Sequence, residues 1–317
     1  GVNCKIIFIG DTAQLPPVKL SISPALDANK LALNYNKEVT EIELSEVMRQ
    51  HENSGILVNA TDLRLIIGNN GFDTFKFQLG FPDLIRLVDG YDIQDAIHTA
   101  YDNIGVEDTA FIVRSNKRAN LYNQQIRSKI RGQENEISTG DFVMVVKNNY
   151  FWLKESSDAG FIANGDICEI LEIKNMKELY DFRFANVKVR MIDYPNQAPF
   201  ETVLLLDTLT SETPSLSYEE SNKLYHEVGK DFAEEKSKYK QLLGIKKSPY
   251  FNALQVKFSY AVTCHKSQGG QWKTVFIEQP YLPEGQNIEY LRWLYTAVTR
   301  AQEKVYLIGF KDEFFEE

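Results

Sequence analysis

No stretch of the 317 residues approaches the about 18 consecutive apolar positions that a membrane-spanning helix needs, so no membrane partner is expected. The first residues, Gly1 to Ile9, have no signal-peptide pattern, and a cytoplasmic location is expected. With no initiator Met, the start reads as a piece of something longer. Cysteine is scarce: Cys4, Cys168 and Cys264 are scattered and odd in number, with no C-x-x-C, which argues against a disulfide framework or a zinc site. No metal ligand set is expected within the chain. Basic charge is also in deficit, with 35 Lys and Arg against 44 Asp and Glu, a net charge of −9. That weighs against coating nucleic acid by charge alone, but not against a narrow groove that holds a strand by local contacts and stacking. Internal repeats and low-complexity segments are absent. So is the phosphate-cradling loop G-x-x-x-x-G-K-[ST]: Gly229-Lys230 has neither the earlier glycine nor the following hydroxyl. Nor does any strand end in the Asp-Glu pair that binds Mg²⁺; Asp312-Glu313 is separated from its apolar run by Phe310-Lys311.

What is present reads first as βα organisation. Residues 5–9 form a run ending in Gly10-Asp11, the pattern of a buried parallel strand that feeds a loop. Helical patterns follow over 54–67 and 93–101, then a strand over 109–113 and a helix over 119–130. The texture changes near 137. Segments 141–146, 166–173, 182–192 and 201–206 are short and rich in Val, Ile and Phe, and Asn164-Gly165 marks a tight turn. These strands predict a small antiparallel barrel inserted into the α/β frame, with Tyr150, Phe151, Trp152 and Phe161 in its loops. Ser217 and Glu220 form a capping box for a helix carrying Leu224, Val228 and Phe232. That helix is either a solvated element packed on the frame or an arm that touches DNA or a partner. From 256 the α/β pattern returns: strands 256–263, 274–278 and 304–309, with a helix over 287–301.

Four short stretches can carry chemistry. Gly10-Asp11-Thr12-Ala13-Gln14-Leu15-Pro16-Pro17-Val18 places a carboxylate and an amide at a sheet's ligand edge. The amide of Gln14 can donate to a phosphate oxygen or hold an attacking water. The plain alternative is a strand followed by a Pro-rich turn. Leu44-Ser45-Glu46-Val47-Met48-Arg49-Gln50 contains an arginine that, out of context, reads as a surface ion pair. Val262-Thr263-Cys264-His265-Lys266-Ser267-Gln268-Gly269-Gly270 is a strand end with hydroxyls, an amide and glycines at an expected helix start, which suits phosphate contacts without base reading. Leu294-Tyr295-Thr296-Ala297-Val298-Thr299-Arg300-Ala301 lies on a helix with an apolar stripe of Ile288, Leu291, Leu294 and Val298 and a second face of Arg292, Thr296, Thr299 and Arg300. A weaker candidate is the turn Val113-Arg114-Ser115-Asn116, where helix capping competes with a nucleic-acid contact.

In type and order these motifs resemble the later motifs of superfamily 1 DNA helicases of the RecD/Dda-like branch. The resemblance implies a RecA-like, P-loop-NTPase-type α/β motor with a parallel sheet and an inserted SH3-like barrel. It divides the chain into the end of a first motor domain (1–40), the first part of a second (41–136), the barrel (137–210), a helical connection (211–250) and the rest of the second motor domain (251–317). It implies that Gln14 senses the γ-phosphate and that Arg49 and Arg300 are catalytic arginines. Gly10, Asp11, Gly269 and Gln271 would also lie about the nucleotide, with Gln271 standing where the family commonly has Glu. Thr263, His265, Lys266, Ser267, Arg114 and Asn116 are implied on the DNA side. The implied ligands are ATP with Mg²⁺, whose ligands would lie upstream, and single-stranded DNA or DNA junctions. The implied assembly is a monomer completed by an upstream motor domain, moving 5′ to 3′. The competing readings are a non-catalytic DNA-binding or scaffolding module and, last, a nuclease–helicase fusion fragment.

Overall fold

The computed structural model describes residues 5–44, 54–69 and 74–316. Its helices in chain order are α1 (Ala28–Tyr35), α2 (Gly55–Gly68), α3 (Gly90–Asn103), α4 (Asn116–Gln125), α5 (Tyr218–Lys230), α6 (Lys238–Lys247) and α7 (Ile288–Val298). Its strands are β1 (Leu84–Leu87), β2 (Thr109–Val113), β3 (Phe142–Val145), β4 (Ile167–Leu179), β5 (Phe182–Met191), β6 (Phe200–Leu205), β7 (Leu254–Phe258), β8 (Ala261–Thr263), β9 (Trp272–Glu278) and β10 (Ala301–Ile308). The chain divides into two units, residues 1–96 with 268–317, and residues 97–267.

In the first unit β1, β10 and β9 pair in parallel, with Leu84 opposite Val305 and Val305 opposite Val275. Strands of a parallel sheet are covered on both faces, which is why Val275, Phe276 and Ile277 run consecutively and are all fully buried. Helix α7 is interior rather than amphipathic: Tyr290, Leu291 and Trp293 through Val298 are buried. Phe75, Phe77, Phe310 and Phe315 close one end, with the Phe75 and Phe77 rings edge to face at 4.9 Å.

Residues 5–9 differ from expectation. No described strand pairs with them, and Ile6, Ile7 and Ile9 are exposed. A strand needs a neighbour for its backbone groups, and apolar content alone does not supply one.

In the second unit β2 and β8 pair in parallel, with Phe111 opposite Ala261 and Val113 opposite Thr263. Helix α4 follows β2, and its last turn, Ile126–Ile130, is π-helical. Strands β3 to β7 close into a five-stranded barrel. The α/β class with parallel strands and an inserted barrel is therefore as expected. The barrel is mixed rather than antiparallel, because β6 and β7 run parallel. Its fifth strand comes from the stretch that reads as one strand over 256–263. The chain turns at Ser259-Tyr260, so that β7 joins the barrel and β8 joins β2. Helices α5 and α6 pack on the barrel: Leu224, Val228 and Ile245 are buried against Phe182, Phe184, Val203 and Leu205. The frame-packed alternative for this segment is thus corrected, since the large apolar side chains of β5 and β6 provide the surface it covers.

Candidate functional site

In the first unit the Gly10 motif is a chain of turns. Asp11 Oδ1 accepts from the Ala13 backbone at 3.0 Å, and Gln14 N donates to Asp11 O at 3.2 Å. The same carboxylate accepts from Arg64 Nη1 of α2 at 3.2 Å and from the Tyr295 hydroxyl of α7 at 2.7 Å. Burial first, and then the bond to Asp11, push the Tyr295 phenol above its usual range. Two further bonds hold the motif to α7. Leu15 N donates to the buried Thr296 hydroxyl at 2.9 Å, and Arg292 Nη1 donates to Ser21 O at 2.8 Å. Gln268 Nε2 donates to Leu15 O at 2.7 Å. A cavity of about 430 Å³ results, lined among others by Gly10, Asp11, Gln14, Gln268 and Arg292. The structure thus gathers Gly10, Asp11 and Gln14 around one hollow. Its amides and guanidinium suit an anionic group. Asp11 is the sole carboxylate among the described residues of that lining, and both its oxygens are engaged within the protein. Among the described residues no three His, Cys, Asp or Glu side chains gather as a metal set.

Arg300 does not line this cavity. It is buried, with Nε on Thr296 O at 3.0 Å, Nη1 on Gly270 O at 3.2 Å and Nη2 on the Thr299 hydroxyl at 3.1 Å. Here it ties the end of α7 to the glycine turn. Gly269 has a φ of +88°, which L side chains rarely adopt, and a Cβ on Gly270 would stand 2.6 Å from the Trp272 ring. Gln271 is exposed and accepts from Gln302 Nε2 at 3.1 Å. Arg49 lies outside the described residues.

In the second unit the parallel pairing of β2 and β8 sets Val113 beside Thr263, so two candidate turns leave one sheet edge together. On one side Arg114 is exposed, Ser115 caps α4 by accepting from Arg118 N at 3.2 Å, and Asn116 Nδ2 donates to Glu212 O at 2.9 Å. On the other, Cys264 N donates to Val113 O at 3.1 Å, and Thr263 O accepts from Lys266 N at 2.8 Å. His265 is exposed, and Lys266 Nζ donates to Asn164 Oδ1 at 2.5 Å. Burial pulls the Lys266 ammonium below its usual range. Two expectations fail here. No helix starts after Thr263, because the turn at 264–269 leads directly into β9. Ser267 is fully buried and its hydroxyl donates to Cys264 O at 2.8 Å, so it closes the turn and offers nothing outward.

Sequence reading missed Arg64 and Asn164. Arg64 sits in no motif and Asn164 stands out only for its tight turn; each reaches its partner from a distant part of the chain. Tyr295 stands inside a motif already singled out, yet its bond to Asp11 has no local signal.

Parallel strands thus carry the candidate turns at their carboxyl ends, where open α/β sheets bind ligands. The family comparison makes this particular. Residues 258–308 match the UvrD-like helicase C-terminal domain. Among solved structures, the Pif1 helicase from Candida albicans is 14% identical over 97% of this chain and 64% of its own, with a TM-score of 0.40. The Pif1 helicase from Bacteroides, solved in complex with ADP-AlF3 and ssDNA, is 13% identical over 97% of this chain and 63% of its own, with a TM-score of 0.47. The chain spans a little under two thirds of the length of these structures. No curated protein matches it in sequence. Among the described residues no helix is long and apolar enough to cross a membrane.

Proposed function

We propose that the chain is the C-terminal portion of an ATP-dependent, RecD/Dda-like DNA helicase that moves 5′ to 3′ and acts as a monomer with an upstream motor domain. The observation that carries this reading is the juxtaposition of the Arg114–Asn116 and Thr263–Lys266 turns on one sheet edge, within and beside a helicase C-terminal region. A strand's phosphates run past such an edge, with Arg114, Asn116, Thr263, His265 and Lys266 as backbone contacts. ATP supplies the energy of phosphoryl transfer. Around it Gln14 reads the terminal phosphate, Gly10, Asp11, Gly269 and Gln271 shape the pocket, and Arg49 and Arg300 stabilise developing charge. Arg300 must leave its bonds to Thr296 and Gly270 to do so, which assigns it to a closed state of the α7 end.

A second reading is a DNA-binding or scaffolding module without catalysis. One experiment separates them: single-stranded-DNA-stimulated ATP hydrolysis by the full-length protein, beside Arg300→Ala. Stimulated turnover that Arg300→Ala abolishes supports the motor. DNA binding with no turnover supports the module. Absence of both overturns the nucleic-acid reading.

A further inference from the structure

Four aromatic side chains lie in the barrel loops, and the structure spends them differently. Trp152 turns in and donates Nε1 to Asn252 O at 2.8 Å, and Phe151, 38% exposed, lies edge-on against it at 5.0 Å rather than stacked face to face. Tyr150 and Phe161 turn outward. Their rings stack at 4.9 Å with 22° between planes, yet Tyr150 remains 70% and Phe161 37% exposed. A stacked pair in water leaves one large planar face open.

That face is held firmly. The Asn149 and Ile162 backbones bond to each other in both directions, at 2.8 and 2.9 Å, and lock the two loops side by side. Asn149 Nδ2 donates to Asn252 O at 2.8 Å, and Asn149 Oδ1 accepts from Phe151 N at 3.0 Å. The pair is also wired to the proposed backbone-contact turn. Tyr150's hydroxyl accepts from Asn148 Nδ2 at 3.3 Å, and Asn148 Oδ1 accepts from Asn164 N at 2.7 Å. Asn164 Oδ1 in turn accepts from Lys266 Nζ. Asn164, through its side chain and its backbone N–H, and Asn148 thus join a half-buried ammonium to an exposed aromatic face, and Lys147 next to Asn148 in the chain is exposed. Asp166, the carboxylate nearby in sequence, is turned to the Ala163 backbone.

We propose that Tyr150 and Phe161 form a stacking platform for an unpaired base of single-stranded DNA whose backbone is held at Lys266. This rests on the DNA-binding reading above and deepens it. A cation and a fixed planar face together match a strand that alternates phosphate with a flat apolar ring, and stacking tolerates any base. The platform is pre-ordered, so little freedom is lost on binding.

The test measures the Kd of the full-length protein by fluorescence anisotropy at one salt concentration. It compares an oligothymidylate with an abasic deoxyribose-phosphate strand of equal length. Tyr150→Ala and Phe161→Ala each weaken oligothymidylate binding about tenfold and leave the abasic strand unchanged, while Tyr150→Trp restores it. Lys266→Ala weakens both strands. If the aromatic variants bind oligothymidylate as the parent does while Lys266→Ala does not, the platform falls and the DNA reading stands. Equal losses on both strands also overturn the platform, since they mark a disturbed loop. If the parent binds neither strand, both readings fall.

Discussion

At the residue scale, Asp141 is fully buried and accepts from Arg127 Nε at 2.9 Å, Arg127 Nη2 at 2.9 Å, Ser138 N at 2.7 Å and the Tyr260 hydroxyl at 2.8 Å. The Arg127 guanidinium lies 4.2 Å over the Phe258 ring. Removing one partner of a buried, hydrogen-bonded pair strands the other charge. Asp141→Ala is therefore expected to cost about 3–5 kcal/mol, seen as a lower urea midpoint. Lys257 titrates in an accessible range. It is buried with Nζ on Thr208 O at 3.0 Å, and burial first, then Lys266, hold its pKa down to about 8. Below about pH 8 both states carry the proton and the cost of burying the charge is fully present. Between about 8 and 10.5 the unfolded chain holds more protons, so stability from this group rises with pH. Urea unfolding of the parent beside Lys257→Met is expected to show the parent gaining relative stability across that window; a constant difference would refute it.

At the element scale, α2 begins on a double cap. Ser54 Oγ accepts from Leu57 N at 3.2 Å, and the Asp83 carboxylate accepts from Ser54 Oγ at 2.6 Å and Gly55 N at 2.7 Å. The carboxylate also faces the positive end of the helix. Asp83→Ala is expected to cost about 1–2 kcal/mol, read from thermal unfolding. Gly55 has no room for a side chain, since a Cβ there would stand 2.6 Å from Phe81 Cβ. Gly55→Ala is expected to destabilise by about 1–3 kcal/mol, against helix propensity, which alone favours alanine. Caps and periods are the part of the fold that sequence shows well. The Ser217–Glu220 box forms both its bonds, at 2.7 and 3.1 Å, and β2 spans the residues its apolar run marks. The surface that α5 covers was not legible, because amphipathicity says that a face is buried and not against what.

At the scale of the whole molecule, the phosphate loop's absence and the engaged state of Asp11 point the same way. The 317-residue chain alone is expected to show no useful ATP hydrolysis with or without single-stranded DNA. Robust DNA-stimulated turnover by it would refute this. Binding of DNA by backbone contacts is expected to weaken steeply with salt, and each of Lys266→Ala and Arg114→Ala is expected to lower the salt slope by about one phosphate's worth. The site was legible where a motif holds its own geometry. Gly10, Asp11 and Gln14 do meet, and the Arg114 and Thr263 turns do share an edge. It was not legible where a motif residue's partners are distant, as with Asp11, or where the side chain closes its own turn, as with Ser267.

The amino-acid order by itself determined most strand and helix segments, the capping box, the α/β and barrel texture and the four motif stretches. All of these rest on interactions within a few residues, which sequence displays directly. Tertiary structure alone decided that no described strand pairs with residues 5–9, that β7 and β8 part at Ser259-Tyr260 into barrel and sheet, and that Arg300 folds onto Gly270. It also decided that the Tyr150 and Phe161 rings stack while Tyr150 stays largely exposed. Such outcomes depend on which distant backbone or side chain offers a hydrogen bond or an apolar surface, and packing settles that competition.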